Sequence, residues 1–419
     1  MASINVAVTG CGHGELDAFY RMCEVFARNG KKIDLLIITG DFQAMRNQQD
    51  LGCMKCPEKY MFMKDFYNYY SGERTAPVLT IYIGGNHEAT NYHRELHFGG
   101  WVAPNIYYLG ASNVIRYKGL RIGGLSGIFK SLDYEKGYCE SIPYAPHSAD
   151  TITAFHYRHL EILKLLAYPS PLDIMISHDW PSRMYQYGDT AALLRRKPHF
   201  QEDIDAQCLG SQPLMQVLDE LKPSYWFASH LHVKFPAIYP HPKSDAAGAV
   251  ERETRFLALD KCLRGREFMQ VVTVPIDASF AEDNVLYYDP FWLAIVKEAQ
   301  RFLSPSANRV LLPAKLEVSE ATMESVKELV EREGGSLERG LAIKKNFVPI
   351  APAYYGKRTD RFDGSVAESR GNNQTDAFLQ MLQLPHSVTI PYEEEVEKDP
   401  NALDLDAISP VCKKHTRRQ

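Results

Sequence analysis

Five short clusters of metal-binding residue types, each directly after a run of apolar and β-branched residues, constrain this chain more than any other feature. The clusters are Cys11-Gly-His13, Gly40-Asp41, Gly84-Gly-Asn86-His87-Glu88, Ser177-His178-Asp179 and Ser229-His230-Leu-His232. The runs before them cover residues 4–9, 33–39, 78–83, 172–177 and 225–229. Each has the length and composition of a strand, and the near-continuous run at 33–39 suits a strand buried on both faces. Between the first two, Leu16, Phe19, Tyr20, Cys23 and Phe26 recur near helical spacing and Gly30 fits the stop, so a helix is expected over 15–28. Leu120–Leu125, 256–259 and 268–274 read as further strands, and 290–303 and 317–333 as helices. This alternation predicts an α/β fold of layered sheets and helices, with a site at the carboxyl ends of strands.

One histidine after one strand is most often a satisfied structural group. Histidine, aspartate and asparagine at the same end of strand after strand call for another account. Imidazole suits Zn, Fe and Mn, and carboxylate suits hard cations. Asp41 has two oxygens and can bridge two metals, and Asn86 offers a neutral carbonyl oxygen. His230 and His232, two apart on a segment read as extended, point to one side of it, and each can serve one metal of a pair. Two metals about 3.5–4 Å apart suit displacement at phosphorus, because they activate water and neutralise phosphate oxygens.

Between Gly127 and Tyr157 the alternation breaks, and Lys130, Tyr134, Lys136, Tyr138, Tyr144 and His147 are interleaved with Pro143 and Pro146. A loop this long in a compact domain is usually functional, and aromatics among cations suit RNA outside a regular helix. The plainer reading is a surface loop packed by its own tyrosines. With 47 Lys+Arg against 52 Asp+Glu, the chain does not coat nucleic acid by bulk charge, although a local basic face is compatible with that balance. Most of the excess acid lies at residues 359–419, which hold 7 Lys+Arg and 11 Asp+Glu. With an acidic run at 393–399 and a basic end at 413–418, that stretch reads as a mobile tail. No stretch approaches the ~20 apolar residues of a membrane span, so no membrane partner is expected. Eight scattered cysteines suggest a reducing, intracellular compartment rather than a disulfide framework. Cys53-Met-Lys-Cys56 lacks the second pair of a zinc ribbon. His93 and His97 could flank the site, although surface positions are the plainer reading, and Arg195-Arg196-Lys197 could meet RNA backbone, although a solvated turn is the usual answer.

The order of the five clusters over residues 11–232 resembles that of the calcineurin-like metallophosphoesterases: Asp-x-His, Gly-Asp, Gly-Asn-His-Asp/Glu, a lone His, and Gly-His-x-His. Two positions depart from it, Cys11 for the first Asp and Ser229 for the Gly. Cys11 and several long runs make residues 4–300 resemble one branch, the RNA lariat debranching enzymes. Those runs are Gly84-Gly-Asn-His-Glu-Ala89, Gly100-Trp-Val-Ala-Pro-Asn-Ile-Tyr-Tyr-Leu109, Ser126-Gly-Ile-Phe-Lys130, Ser177-His-Asp-Trp-Pro181, Tyr225-Trp-Phe-Ala-Ser-His-Leu-His-Val-Lys-Phe235 and Phe256-Leu-Ala-Leu-Asp-Lys-Cys-Leu263.

The resemblance implies a layered metallophosphoesterase β-sandwich flanked by helices over 1–275, with a lariat recognition loop at 127–157. A smaller C-terminal domain over 276–358 and the tail over 359–419 would follow. The implied activity is hydrolysis of the 2′,5′-phosphodiester bond at the branch of excised intron lariat RNA, which makes branched RNA the partner. The implied location is the nucleus, with the cytoplasm also open, and 413–418 resembles a short nuclear import signal. By motif position, one metal site resembles Cys11, His13, Asp41 and His232, and the other Asp41, Asn86, His178 and His230. His87 resembles the family's general acid, and Lys130, Tyr134, Lys136, Tyr138 and Tyr144 fall in its RNA-contacting loop. A soft thiolate favours Zn2+ or Fe2+ over Mg2+, which suggests an Fe2+/Zn2+ pair with Mn2+ able to substitute in vitro. The plainer reading of Cys11 is a small buried residue that binds nothing, leaving one occupied site. Two competing functions stand beside debranching: a metallophosphoesterase acting on other phosphodiesters or monoesters, and a non-enzymatic scaffold on the same fold.

Overall fold

The computed structural model describes residues 2–141, 144, 148–243, 250–368 and 370–385. The runs at 393–399 and 413–418, and Pro143, Pro146 and His147, lie outside the described residues. In chain order the strands are β1 (Ala2–Thr9), β2 (Leu35–Ile38), β3 (Thr80–Tyr82), β4 (Gly100–Ala103), β5 (Ile106–Tyr108), β6 (Ser112–Tyr117), β7 (Leu120–Leu125), β8 (Ile174–Ser177), β9 (Tyr225–Ala228), β10 (Phe235–Pro242), β11 (Val250–Ala258), β12 (Met269–Ile276), β13 (Leu286–Tyr288) and β14 (Leu341–Ala342).

They form two sheets, one ordered β12-β1-β2-β3-β5-β4 and the other β10-β11-β9-β8-β7-β6-β13-β14. Strands β1, β2, β3 and β5 run parallel, as do β7, β8, β9 and β11. Side-chain alternation sorts each strand between two cores. Ile4, Val6 and Val8 of β1, with Leu35 and Ile37 of β2, face Ile122, Ile174, Ile176 and Phe227 of the second sheet. Ala7, Leu36 and Ile38 point the other way, against Leu16, Phe19, Tyr20 and Cys23 of the helix Leu16–Arg28. Helices His159–Leu166, Gln212–Leu221 and Pro290–Ala299 cover the outer face of the second sheet. The result is a helix-sheet-sheet-helix stack, as expected for an α/β chain. At roughly 1.5–3 kcal/mol for each fully buried aliphatic side chain, this double burial is what makes the strands rigid supports. Among the described residues, no helix is long and apolar enough to cross a membrane.

Several elements were not foreseen. Strand β10 carries Pro236, Pro240 and Pro242, which argue against a central strand; it lies at a sheet edge with those prolines exposed, where no ladder donor is needed. Residues 276–358 build no separate core among the described residues. Strand β13 pairs with β6, and Trp292, Leu293, Val326, Leu329 and Val330 join the cluster on the second sheet's outer face.

The stretch from 359, read from sequence as a tail, also holds a helix that was not foreseen. Asn373–Leu382 is a helix whose Asn372 side chain accepts from the Gln374 N–H. Gln374 clamps the Trp101 main chain, accepting from its N–H and donating to its carbonyl, each at 2.8 Å. Phe378 stacks on Phe98 with centroids 5.3 Å apart. Only Phe378, Leu379 and Leu382 supply large buried apolar groups, so the helix is masked by the polar residues around it. Phe378→Ala should therefore destabilise the protein by about 3–5 kcal/mol, read as a lower urea midpoint with an unchanged slope.

Candidate metal centre

The parallel strands of both sheets deliver their carboxyl ends to one place. Strand β1 leads into Cys11 and His13, β2 into Asp41, β3 into Asn86 and His87, β8 into His178, and β9 into His230 and His232. The chain turns sharply there. His13, Asp41, His230 and His232 have φ of 44°, 51°, 57° and 51°, a left-handed conformation that costs a non-glycine residue on the order of 1–3 kcal/mol. Backbone strain of this kind, held in place by its surroundings, clusters at functional sites.

The segment after β9 is accordingly not extended, contrary to expectation. Left-handed turns at His230 and His232 send the two imidazoles to different ends of the cluster. His230 Nδ1 lies 3.0 Å from Asn86 Oδ1, and His232 Nε2 lies 3.3 Å from His13 Nε2. Asp41 sits between these ends. Its Oδ2 is 3.7 Å from His13 Nε2, and its Oδ1 is 3.4 Å from His178 Nε2. That same Oδ1 accepts the His87 main-chain N–H at 2.9 Å. Ligand atoms of Cys11, His13, Asp41 and His232 all lie within 4.8 Å of one another. Asn86 Oδ1 is 3.2 Å from His178 Nε2. Two adjoining groups of donors therefore share Asp41.

The electrostatics suit cations. Burial pulls the His13 imidazole down to about 4, with Asp41 only partly opposing it, and pulls His232 lower still. Both rings are neutral at pH 7 and carry lone pairs. The His178 Nδ1–H donates to the Thr39 carbonyl at 2.8 Å, which leaves Nε2 as an acceptor facing Asn86 and Asp41. Burial works to raise the Asp41 carboxyl, but the neighbouring histidines and the His87 amide more than offset it and hold the group well below the usual carboxylate range. Burial and Asp41 push the Cys11 thiol well up, so a thiolate there needs a cation beside it. A sulfur, imidazole nitrogens and a carboxylate converging at these distances form a donor set that fits zinc- or iron-type divalent ions.

The glycines of the motifs are explained by space. A Cβ at Gly85 would lie 2.3 Å from Asp41 Oδ1, and one at Gly40 2.2 Å from His178 Nδ1. The Ser229 hydroxyl, where the family pattern has Gly, donates to the Thr39 carbonyl at 2.8 Å. Sequence reasoning assigned no role to Glu88. Its buried carboxylate accepts from the Phe42, Gln43 and Gly85 N–H groups at 2.7, 2.7 and 2.9 Å, tying the loop after β2 to the loop after β3. An acidic residue next to Asn86-His87 was the available signal. The anchor of His87 had none: its Nδ1–H donates at 2.7 Å to the main-chain carbonyl of Lys55, inside the Cys53–Cys56 segment. The His87 ring is half-buried, with its centroid 5.7 Å from that of His13. His93 and His97 are buried, not at the surface, and His93 stacks on Tyr108 at 4.2 Å.

The loop at 127–157 borders the cluster where the Gly127 N–H donates to the Gly84 carbonyl at 2.9 Å. Lys130 is exposed. Tyr134 is half-buried and stacks on His159, and the Lys136 ammonium lies 2.9 Å from Asp133. Tyr138 donates to Glu161 at 2.8 Å, with the Arg94 and Arg158 guanidiniums beside its ring. Tyr144 is 1% exposed and packs with Cys53 and Ala367. The loop is anchored by the Glu140 carboxylate, which meets Arg94 at 3.1 Å and also pairs with Arg158.

Residues 4–234 match the family model of calcineurin-like phosphoesterases, and residues 251–387 match that of the lariat debranching enzyme C-terminal domain. The lariat debranching enzyme of Homo sapiens is 42% identical over 417 residues, covering 95% of this chain and 74% of that protein. This chain belongs to the lariat debranching enzyme family. The relative in Danio rerio is 46% identical over 359 residues, 84% of this chain and 61% of that protein. The relative in Arabidopsis thaliana is 39% identical over 384 residues, 91% of this chain and 87% of that protein. Membership in the calcineurin-like phosphoesterases implies a two-metal site, and the two donor groups sharing Asp41 are of a kind to form one.

Gly85→Ala should leave the protein folded but lower its metal content to less than half that of the parent, by elemental analysis. Gly371→Ala, whose Cβ meets nothing within 4 Å, should match the parent.

Proposed function

We propose that this chain hydrolyses the 2′,5′-phosphodiester bond at the branch of excised intron lariat RNA, with His87 as the general acid. The observation that carries this reading is an imidazole belonging to neither donor group yet fixed beside both, in a chain 42% identical to a lariat debranching enzyme. In this reading Cys11, His13, Asp41 and His232 hold one divalent cation, and Asp41, Asn86, His178 and His230 hold the other. Such a pair supplies activated water and neutralises the non-bridging phosphate oxygens. The soft sulfur of Cys11 favours Fe2+ or Zn2+ over Mg2+, and an Fe2+/Zn2+ pair, with Mn2+ as a substitute in vitro, follows from that donor set.

The chain's own residues do the rest. Because Lys55 offers only a carbonyl, the Nδ1 of His87 must keep its proton, and Nε2 is the nitrogen that gains and loses one. As the P–O bond to the branch 2′ oxygen breaks, His87 Nε2 protonates that oxygen, water supplies the new oxygen on phosphorus, and a linear RNA results. In the loop, exposed Lys130 with half-buried Tyr134 and Lys136 contacts RNA, while Tyr138 and Tyr144 hold the loop's shape. Action on excised introns favours the nucleus as its location, with the cytoplasm also open.

Cleavage of a branched RNA, but not of a linear 3′,5′ RNA or a small phosphate monoester, with loss of activity on chelation, is the expected result. Activity on the monoester alone would favour a general phosphatase. His87→Ala should lower kcat by about 10²–10⁴-fold with metal content unchanged, and a parental rate would remove His87 from the role. Cys11→Ser, purified without added metal, should carry less iron or zinc than the parent; equal content would mean that Cys11 is not a ligand.

A further inference from the structure

A groove opens at His232, the end of the cluster away from Gly84 and the 127–157 loop. One part of it, about 250 Å³, is lined by Arg196, Lys197, His199, His232, Lys261 and Arg266. An adjoining part of about 330 Å³ shares Arg196, Lys197, His232 and Arg266 and continues past Lys234 and Gly265. Five cationic side chains face two carboxylates there. Asp260 takes Arg266 at 3.2 Å, and Glu267 takes Lys234 at 3.1 Å and Arg196 at 3.7 Å. Lys197 and Lys261 form no salt bridge among the described residues. Lys197 follows the helix Thr190–Arg196 and is half-buried, its ammonium 6.0 Å over the Phe200 ring, so it is held in the groove wall rather than free in solvent. Burial, with Arg266 and Lys261 nearby, pulls this ammonium below its ordinary value despite Asp260, as expected where cations outnumber anions. Arg196 is exposed, as expected of a solvated turn, whereas Lys197 is half-buried in the groove wall.

A concave surface with uncompensated positive charge, leading to a phosphodiester-cleaving centre, suits a polyanion. Among the described residues the lining contains no Tyr, Phe or Trp, and its only rings are the imidazoles of His199 and His232, so it offers bases little to stack on beside its many cations. We infer that this groove carries the sugar-phosphate backbone of one single-stranded RNA arm leaving the branch, gripping it by phosphates without reading bases. The inference rests on the functional reading above and adds where an arm of that substrate runs.

The test uses the metal-loaded full chain and its Arg196→Gln/Lys197→Gln variant, with non-hydrolysable branched RNAs bearing either long arms or single-nucleotide arms. In the variant, affinity for the long-armed RNA should fall about tenfold, and the slope of log K against log salt should flatten by about 0.7 for each phosphate contact removed. Affinity for the short-armed RNA should fall much less, changing the arm's sequence should have no effect, and metal content should match the parent. An equal fall for both RNAs, or an unchanged salt slope, would overturn the groove assignment. Binding of linear single-stranded RNA to the two proteins tests the groove separately, because it should weaken in the variant whether or not the parent debranches. Failure of the parent to cleave branched RNA would overturn the functional reading instead.

Discussion

One buried carboxylate, Asp41, organises the working end of this molecule. It stands on a left-handed turn, its two oxygens face opposite halves of a histidine cluster, and one of them also takes the main-chain N–H of His87. The absence of a Cβ at Gly85 leaves room for its carboxylate, and the absence of one at Gly40 leaves room for the His178 ring beside it. Glu88 then joins the loops on either side through three main-chain donors, so the turns after β2 and β3 behave as one piece. A charge buried this deeply is tolerable only with partners fixed in place. The strands that fix them are apolar on both faces and packed on both sides.

The parts legible in sequence were those governed by composition and order. Strands such as β1 and β2 announce themselves because burial on two faces demands a continuous apolar run. The clusters that follow them were legible as chemistry because their residue types recur in one order. What the sequence hid depended on geometry that residue identity does not specify. Nothing in Ser229-His230-Leu-His232 fixes two left-handed turns, since a non-glycine residue enters that region rarely and its surroundings decide where it does. The carbonyls of Lys55 and Thr39 position His87 and His178, and a carbonyl is the same at every residue. His93 looks like a surface group until Tyr82 and Tyr108 are seen around it. The helix at 373–382 was lost in a stretch judged by its average polarity.

The described residues of the loop at 127–157 show how a segment can be irregular in backbone and still built. Glu140, between Arg94 and Arg158, is buried, and Arg158 also donates to the carbonyls of Gly137 and His156. Buried ion pairs add little net stability, but they specify geometry, because each partner stranded alone is costly. A surface already ordered in this way avoids much of the conformational entropy that a flexible loop surrenders on meeting a ligand. Tyr138 and Tyr144 pack inward and serve this order, while Lys130 remains outside.

The pairing of β1 with β12 bears on when the protein is complete. The first strand lies between β2 and a partner whose residues come from far later in the chain, with Val8 opposite Gln270. Phe98 and Trp101 likewise wait for Phe378 and Gln374. Contacts of such long separation fold slowly. On a ribosome, the residues bearing the metal-binding motifs would all have emerged before the strand and helix that brace them. The nascent chain therefore passes through a stage in which the ligand types are present but not yet held together. The half-made sheet edge stays exposed until β12 emerges, and loading with metal belongs to the period after the bracing elements are in place.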